Sequence, residues 1–416
     1  MNHRSNRNRF LLLWSGELIS AIGGGLTSFG ICVYVFNLTG SAESMAMVTL
    51  LAFLPTLLLS APAGVLADRY DRRLLMMLGD GLSALGLVYI LLCMIHGEAK
   101  LYQIYIGVCI SAVFSSLLEP SYRATITDLL TPEEYAKASG MVSLAGSAKY
   151  LISPLLAGLL LTVGSIRLLL IIDICTFFLT VVCTAVVRNG LETKKPEHVE
   201  PFWESFREGW ETVTGKRGIL ILILVSSVIT CFMGTIQILS EPMILSFSDS
   251  RTLGIGETVC ACGMLFSGVI LGIRGIKTGY VRTLCISLAA AGIAMIGFGY
   301  RESIYVVCAF GFLFFFMLPF ANSCLDYLVR TNIEADRQGR AWGLISFLSQ
   351  IGYVVAYGTA GRLADRFAEK QNITVGRGAA QVILYSGMLL AGSAAAIWFI
   401  KSVRRLESYE KTAALE

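Results

Sequence analysis

The sequence predicts an all-α, polytopic membrane protein with twelve transmembrane helices. Two compositional observations exclude a soluble protein: 55% of the residues are hydrophobic against 15% charged, and the mean hydropathy is +0.69. A third observation limits the number of helices, because a chain of 416 residues has room for about a dozen spans of roughly 20 residues each.

Hydropathy separates twelve apolar runs along the chain. The first is too long for the core of a signal peptide and has no small-residue cleavage site after it, so we interpret it as a retained helix. The predicted helices span 10–36, 44–66, 74–95, 102–127, 134–162, 167–187, 219–246, 254–275, 280–299, 303–329, 340–364 and 378–401.

The distribution of Lys and Arg among the loops predicts the orientation of these helices. If the N-terminus is cytoplasmic, the inner segments carry 24 of these residues and the outer loops carry 8. Loops rich in Lys and Arg stay on the cytoplasmic side of a membrane. We therefore expect both termini to be cytoplasmic, in a multi-pass protein of the bacterial cytoplasmic membrane.

The most specific motif is the charged stretch Gly64–Arg73, between predicted helices two and three. A charge in the centre of a bilayer costs about 2.5–3.5 kcal/mol even on lenient scales, so this stretch is predicted to be a cytoplasmic hairpin. It resembles the signature G-x-L-a-D-R-x-G-R-[KR] of the major facilitator superfamily, with Asp71 in place of the second glycine. Together with Leu12-Trp14-Gly16, Thr39–Ala42 and the following Asp80, it is similar to the drug-exporter branch that contains macrolide-efflux proteins and a siderophore exporter.

The resemblance implies the major facilitator fold and a gating function for this hairpin. Asp68 would accept hydrogen bonds from the N-terminus of the eleventh helix, near Arg340, while the arginines pair with an acid such as Asp80 or Asp128. Such a latch would stabilise the outward-facing state. The alternative is that the arginines only fix the topology. The implied gating residues are Gly64, Asp68, Arg69, Arg72, Arg73 and Asp80.

An internal repeat divides the chain into two six-helix halves, residues 1–190 and 218–416. An offset of 203 residues superposes Tyr150 on Tyr353 and Gly158 on Gly361, among other identities. In this superfamily parallel halves enclose a substrate site near the midplane. Asp68 has no counterpart in the equivalent hairpin of the second half, so a single latch is expected. The linker, 191–217, carries apolar residues at helical spacing, which predicts an amphipathic helix on the membrane or on the protein's own cytoplasmic end.

The fifth predicted helix contains a second motif, Ser153–Gly158. It resembles the antiporter motif g-x-x-x-G-P-x-x-G-G, and Pro154 and Gly158 are the matching residues. Proline and small residues allow membrane helices to bend and to approach one another closely. The motif therefore has either an export-specific role or an ordinary role in helix packing.

Four charged residues are predicted at similar depths within the first half. Lys149 lies about 16 Å into helix five and Glu17 about 12 Å into helix one, at 1.5 Å per residue. Glu119 and Arg123 lie in helix four, and by resemblance helices one and four line the central cavity. These residues either couple transport to protons, with Glu17 or Glu119 as the protonatable carboxyl, or form a fixed salt-bridge network. Secondary candidates are Asp173, Glu241 and Asp326, and Asp326 can pair with Arg330.

These patterns favour a secondary transporter that exports a bulky apolar or amphiphilic compound, such as a macrolide, in exchange for protons. A native siderophore or lipid-like metabolite is the alternative substrate. The chain contains no phosphate-binding loop and none of the short catalytic motifs of membrane enzymes, so neither ATP hydrolysis nor enzyme activity is expected. We also expect no cofactor, no metal and no nucleic-acid partner, and a monomer in contact with membrane lipids.

Overall fold

A computed structural model of the chain describes residues 3–131, 134–188, 210, 217–276, 278–333, 338–401 and 403–404. Within these residues the secondary structure is helical. In chain order the helices are α1 (His3–Thr39), α2 (Ala42–Arg69), α3 (Arg72–Ile95), α4 (Leu101–Ser115), α5 (Leu118–Leu129), α6 (Tyr135–Leu151), α7 (Ser153–Val163), α8 (Ile166–Arg188), α9 (Arg217–Leu245), α10 (Ser250–Arg274), α11 (Tyr280–Tyr300), α12 (Ile304–Arg330), α13 (Gln338–Gln371) and α14 (Val375–Phe399).

The described helices make up twelve segments that are long and apolar enough to cross a membrane, which confirms the predicted number. Two of these segments contain two helices each. α4 and α5 together form the span Leu101–Leu129, and α6 and α7 form the span Lys137–Val163. The predicted amphipathic helix of the linker lies outside the described residues, apart from Trp210.

Proline explains where the two divided spans break. Pro120 follows the break between α4 and α5, and Pro154 follows the break between α6 and α7. Proline has no backbone N–H and clashes with the carbonyl four residues earlier, so it kinks or interrupts a helix at that point. The carbonyls that receive no helical hydrogen bond from these prolines belong to Ser116 and Tyr150, within a residue or two of each break.

The chain divides into two compact units. The first contains Met1–Gly40, Met47–Val199 and Ser250–Ile255, and the second contains Ser41–Ala46, Glu200–Asp249 and Gly256–Glu416. The first turn of α2 thus belongs to the second unit, and the first turn of α10 belongs to the first unit. Each of these helices continues in the other unit.

Helix packing within each unit follows from apolar faces and small residues. In the first unit α8 packs against both α1 and α3, and α3 packs against α4. An apolar cluster at one end of this unit includes Phe10, Leu13, Met76 and Tyr122. In the second unit α11 packs against α12 and α14, and α9 packs against α13.

Candidate functional site

The arginines of the charged hairpin are bound within the first unit. Arg72 donates from Nη1 to Asp128 Oδ1 at 2.8 Å, and Arg73 donates from Nη2 to Asp128 Oδ2 at 3.1 Å. Arg72 also donates to the backbone carbonyls of Ala67 and Ala124. Of the two acids predicted as partners, Asp128 at the end of α5 therefore binds both arginines. It joins the α2–α3 hairpin to α5.

Asp71, which departs from the family signature, has two structural functions. Its carboxylate accepts a hydrogen bond from the backbone N–H of Arg73, and so it caps the N-terminus of α3. Its other oxygen binds Nε of Arg188 at the end of α8, at 2.8 Å. Sequence analysis identified Asp71 only as a departure from the signature. An Asp directly before an apolar helical run is nevertheless an N-cap signal that was available in the sequence.

The remaining hairpin residues are more exposed. The Asp68 side chain is 54% exposed, and its ion pair in the described part of the chain is with Arg72, at 3.8 Å. Arg69 is exposed at the last position of α2. A Cβ atom built on Gly64 would have no described neighbour within 4 Å. The acceptor function of Asp68 towards the eleventh predicted span, which is α13, stays a prediction.

Asp80, the last of the predicted gating residues, is buried within α3. It lies eight residues into α3, about 12 Å from the helix start, and is 1% exposed. Neither carboxylate oxygen has a hydrogen-bond partner among the described residues. Instead of binding the arginines at the surface, Asp80 is within electrostatic range of Glu17 and Asp173. Its place is in the interior of the first unit.

Asp173 occupies the same interior, where α1 crosses α8 closely. Asp173 is 1% exposed, and its Oδ1 accepts a hydrogen bond from the Thr176 hydroxyl at 3.3 Å. A Cβ on Gly23 would lie 2.8 Å from this Oδ1 and 2.5 Å from Thr176 Oγ1. A side chain at position 23 would displace the carboxyl or the hydroxyl group, so glycine lets the α1 backbone pass close to Asp173. Asp173 lies seven residues from the first residue of α8.

Lys149 and Glu17 approach the same region from two other helices. Glu17 on α1 is within electrostatic range of Lys149 and Glu119, and Lys149 on α6 is within range of Asp173. The backbone of α1 contacts α6 here, because a Cβ on Gly25 would lie 3.1 Å from Lys149 Cγ. We call Glu17, Asp80, Lys149 and Asp173 the interior charged group. In the described chain, none of the four has an ion pair within 4.0 Å.

Glu119 and Arg123 differ from the interior charged group. Arg123 donates to Glu119 Oε1 from Nε at 3.0 Å and from Nη2 at 2.8 Å, one turn apart on α5. Their side chains are 73% and 67% exposed, respectively. The structure thus divides the four residues predicted as one cluster. Glu119 and Arg123 form a local ion pair, whereas Glu17 and Lys149 face the buried acids.

The antiporter-like motif is a close-packed helix contact within the first unit. A Cβ on Gly158 would lie 2.7 Å from the carbonyl oxygen of Ser250, and a Cβ on Gly254 would collide with the carbonyl of Pro154. Both obstacles are backbone atoms, which cannot rotate away. The hydroxyl of Ser153 donates to the carbonyl of Ile22 at 3.0 Å and connects the motif to α1. Pro154 and Gly158 therefore set the spacing between α7 and the start of α10.

The second unit contains its own acidic residues. Asp326 lines a cavity of about 240 Å³ between α9, α12 and α13, with apolar walls and polar groups from Ser226, Ser349 and Gln350. Arg330, one turn further along α12, is within electrostatic range of Asp326, and the pairing of the two residues stays a prediction. Glu241 on α9 is within electrostatic range of Glu257 on α10. Sequence analysis missed Glu257, although an acid inside an apolar run was the available signal.

The profile of the Major Facilitator Superfamily matches residues 13–357, and the chain belongs to this family. It is 25% identical to macrolide efflux protein A of Streptococcus pyogenes over 407 residues, covering 96% of this chain and 97% of the relative. The enterobactin exporter EntS of Shigella flexneri is 26% identical over 157 residues, or 38% of each chain. The solved structure of the nucleoside transporter NupG superposes with a TM-score of 0.75 at 12% identity, covering 95% of this chain and all of that one. The protein is thus a multi-pass membrane transporter of small molecules, and not an enzyme.

Proposed function

We propose that this transporter exports bulky apolar or amphiphilic compounds, with macrolide-like drugs as the principal class, in exchange for protons across the bacterial cytoplasmic membrane. Alternating access of one central site supplies the mechanism. The chain works as a monomer among membrane lipids, with both termini in the cytoplasm. Near-complete coverage of a macrolide efflux relative supports the substrate class. The bias of Lys and Arg towards one side supports the orientation.

The interior charged group is the observation that supports proton coupling. Ionisable residues are expensive in a membrane, and they mark ion or proton pathways when they face a protein interior. Here Glu17, Asp80 and Asp173 converge from three helices, and Lys149 from a fourth helix lies within electrostatic range of two of them. Since no described ion pair holds these carboxyls, a helix movement of a few ångströms changes the field that each one experiences. Proton affinity then changes with conformation, as antiport requires.

The cavity beside Asp326 fits part of an amphiphilic substrate. Its walls are formed by leucine, isoleucine and valine, and its polar groups are few. Small-molecule sites are typically apolar with a small number of placed polar groups. A carboxylate in such a wall favours substrates with a basic amine, which macrolide-like drugs and many other exported drugs carry.

The proposal is tested in proteoliposomes with an imposed pH gradient and a labelled macrolide. We expect wild-type protein to accumulate the drug against its gradient, and an uncoupler to abolish accumulation. Glu17→Gln keeps the shape of the side chain but cannot ionise. We therefore expect it to lose uphill accumulation at least about tenfold while it retains downhill exchange. Glu302→Gln is the matched control, because Glu302 is exposed between α11 and α12, and it should accumulate drug like the wild type.

Two outcomes would contradict this assignment. Full uphill transport by Glu17→Gln, normalised per folded molecule, would exclude Glu17 as the coupling carboxyl. Accumulation of siderophores or lipid-like metabolites but no macrolide, in a parallel panel of labelled compounds, would favour the alternative substrate. That alternative rests on the shorter resemblance to the enterobactin exporter.

A further inference from the structure

The first unit contains a cavity of about 390 Å³ at the end opposite the charged hairpin. Its walls are formed by the end of α1, the end of α3 and the connection between α7 and α8. Asn37 in the cavity wall is 20 residues from Glu17 along α1, or about 30 Å at 1.5 Å per residue. The cavity is therefore separate from the interior charged group. Its volume lies in the range of small-molecule sites, roughly 300–1,000 Å³.

Two opposite charges line this cavity. Glu98 lies in the turn after α3, Arg167 is the second residue of α8, and both residues are exposed. The Tyr34 hydroxyl on α1 is within electrostatic range of both charges. In the described part of the chain, Glu98 and Arg167 form no ion pair with each other within 4.0 Å. A ligand that carries one positive and one negative group can therefore pair with both residues.

A hydrogen bond holds the guanidinium of Arg167 beside the cavity. Its Nη2 donates to the backbone carbonyl of Met94 and joins the start of α8 to the end of α3. A guanidinium has five N–H donors in a planar fork, and a phosphate or carboxylate group can bind two of them at once. The bond to Met94 leaves donors for such a group. Arg167 thus forms an anion site, and Glu98 supplies a cation site.

Apolar side chains form the rest of the cavity and its surroundings. Val33 and Ile166 are buried in its wall, at 6% and 7% exposure. Leu38, directly after Asn37, is 41% exposed, and Val163 at the end of α7 is 82% exposed. A ligand with a charged head and an apolar tail therefore has contacts for both of its parts.

The cavity lies at the ends of membrane spans. The candidate spans of the first unit include Asn6–Thr39, Arg72–Ile95 and Ile166–Arg188, and the polar lining residues lie within about five residues of their ends. Tyrosine is enriched at membrane–water interfaces, and arginine side chains near the ends of a span reach towards the headgroups. The polar wall of the cavity is thus at the level of the lipid headgroups.

We propose that the cavity binds the headgroup of a phospholipid with a phosphate and a primary amine, and that phosphatidylethanolamine is the occupant. Arg167 binds the phosphate oxygens through two parallel N–H donors, and Glu98 accepts hydrogen bonds from the ammonium group. The Tyr34 hydroxyl and the Asn37 amide complete the polar contacts. The acyl chains follow the exposed apolar side chains at the end of α7. This site depends on neither the substrate, the coupling ion nor the orientation in the proposed function.

The two charges distinguish this lipid from other common phospholipids. Phosphatidylglycerol has no cation, so its phosphate would bind Arg167 while Glu98 repels it. The trimethylammonium group of phosphatidylcholine has no N–H to donate to Glu98, so it forms no charge-assisted hydrogen bond. Glycerophosphoethanolamine has the charges of the proposed occupant but no acyl chains. It therefore distinguishes a lipid site from a site for a free zwitterion.

Native mass spectrometry of the full-length protein in detergent tests the proposal. The three phospholipids, with identical acyl chains, are titrated onto delipidated protein, and the Kd of the first bound lipid is measured for each. We expect phosphatidylethanolamine to bind at least about tenfold more tightly than phosphatidylglycerol, because both of its charges are paired. Arg167→Gln and Glu98→Gln should each weaken its binding about tenfold. Asn37→Ala removes a neutral hydrogen bond and should weaken it about threefold.

Glu98→Gln gives a second readout that a merely structural effect would not produce. Loss of the carboxylate removes the repulsion of an anionic headgroup, so the affinity for phosphatidylglycerol should rise about threefold while that for phosphatidylethanolamine falls. Arg301→Gln and Glu302→Gln are the matched controls, because both residues are exposed between α11 and α12. Each control should change lipid binding by less than about twofold. The unfolding midpoint of every variant in detergent checks that it is folded.

Three results would overturn the proposal. Equal affinity of the wild type for the three phospholipids would show that no site selects the headgroup. Unchanged binding of phosphatidylethanolamine by both Arg167→Gln and Glu98→Gln would place the lipid elsewhere. Binding of glycerophosphoethanolamine as tight as that of the lipid would assign the cavity to a soluble zwitterion. A failure to export drugs would contradict the proposed function and leave these results as they stand.

Discussion

The charged hairpin and the interior charged group lie in the same unit and even share a helix. The charges of the hairpin are paired, whereas those of the interior charged group have no ion pair among the described residues. Arg73 and Asp80 are seven residues apart on α3. Arg73 is 4% exposed and binds Asp128, whereas Asp80 is 1% exposed and its oxygens have no hydrogen-bond partner among the described residues. At the hairpin the charges of Asp71, Arg72, Arg73, Asp128 and Arg188 are all paired.

This difference separates charges that hold the structure from charges that are available for chemistry. A paired ion is fixed by its partner, and removing the partner leaves an uncompensated charge. A buried carboxyl with no partner destabilises the fold, so its presence indicates a function. Stability and transport, measured separately, test this distinction.

Asp128→Asn should produce the largest loss of stability. The substitution leaves Arg73 nearly buried without its counter-ion, and we expect the free energy of unfolding to fall by about 2 kcal/mol. Uphill transport per folded molecule should change little. The unfolding midpoint in detergent, compared with that of the exposed-pair variant Glu119→Gln, measures the effect. A loss of coupling with normal stability would show that the hairpin takes part in the chemistry.

Asp80→Asn should have the opposite effects, a loss of transport without a loss of stability. The amide is cheaper to bury than a carboxylate without a partner, so the unfolding midpoint should stay equal or rise. Uphill accumulation of drug should fall about tenfold, because an amide cannot exchange a proton. Both values are measured on the same purified preparation. Wild-type accumulation together with a lowered midpoint would mean that Asp80 is a structural residue like those of the hairpin.

Asp71→Gly should have the smallest effect of the three, although it restores the residue that is usual in the family signature. The variant loses the cap of α3 and the ion pair with Arg188, whose side chain is 42% exposed. Glycine replaces a cap at a cost of a few tenths of a kcal/mol, and partly exposed ion pairs contribute little, so we expect a loss of about 1 kcal/mol. Normal transport should accompany it, and a coupling defect would contradict the structural interpretation of Asp71.

The fold could be predicted from the sequence to a large extent, and the site only in part. The twelve spans follow from hydropathy, and the family follows from the hairpin signature. Glu17, Lys149 and Asp173 could be identified because a charge inside an apolar run is conspicuous at any position. Which charges meet could not be identified in this way. Glu119 and Arg123 were grouped with Glu17 by depth alone, whereas their i, i+4 spacing lets them pair with each other.

The sequence by itself determined the quantities that depend on local composition. These are the length and number of the spans and the expected orientation, because each follows from the transfer of nearby residues into a membrane. The helix breaks near Pro120 and Pro154 were not among them, since Pro55, Pro242 and Pro319 lie inside unbroken helices. The tertiary structure decided which charges are paired. Asp365, for example, accepts a hydrogen bond from the backbone N–H of Ala42, 323 positions away in the chain. Pairing depends on distances between residues as much as 324 positions apart in the chain, and short-range sequence patterns contain no information about them.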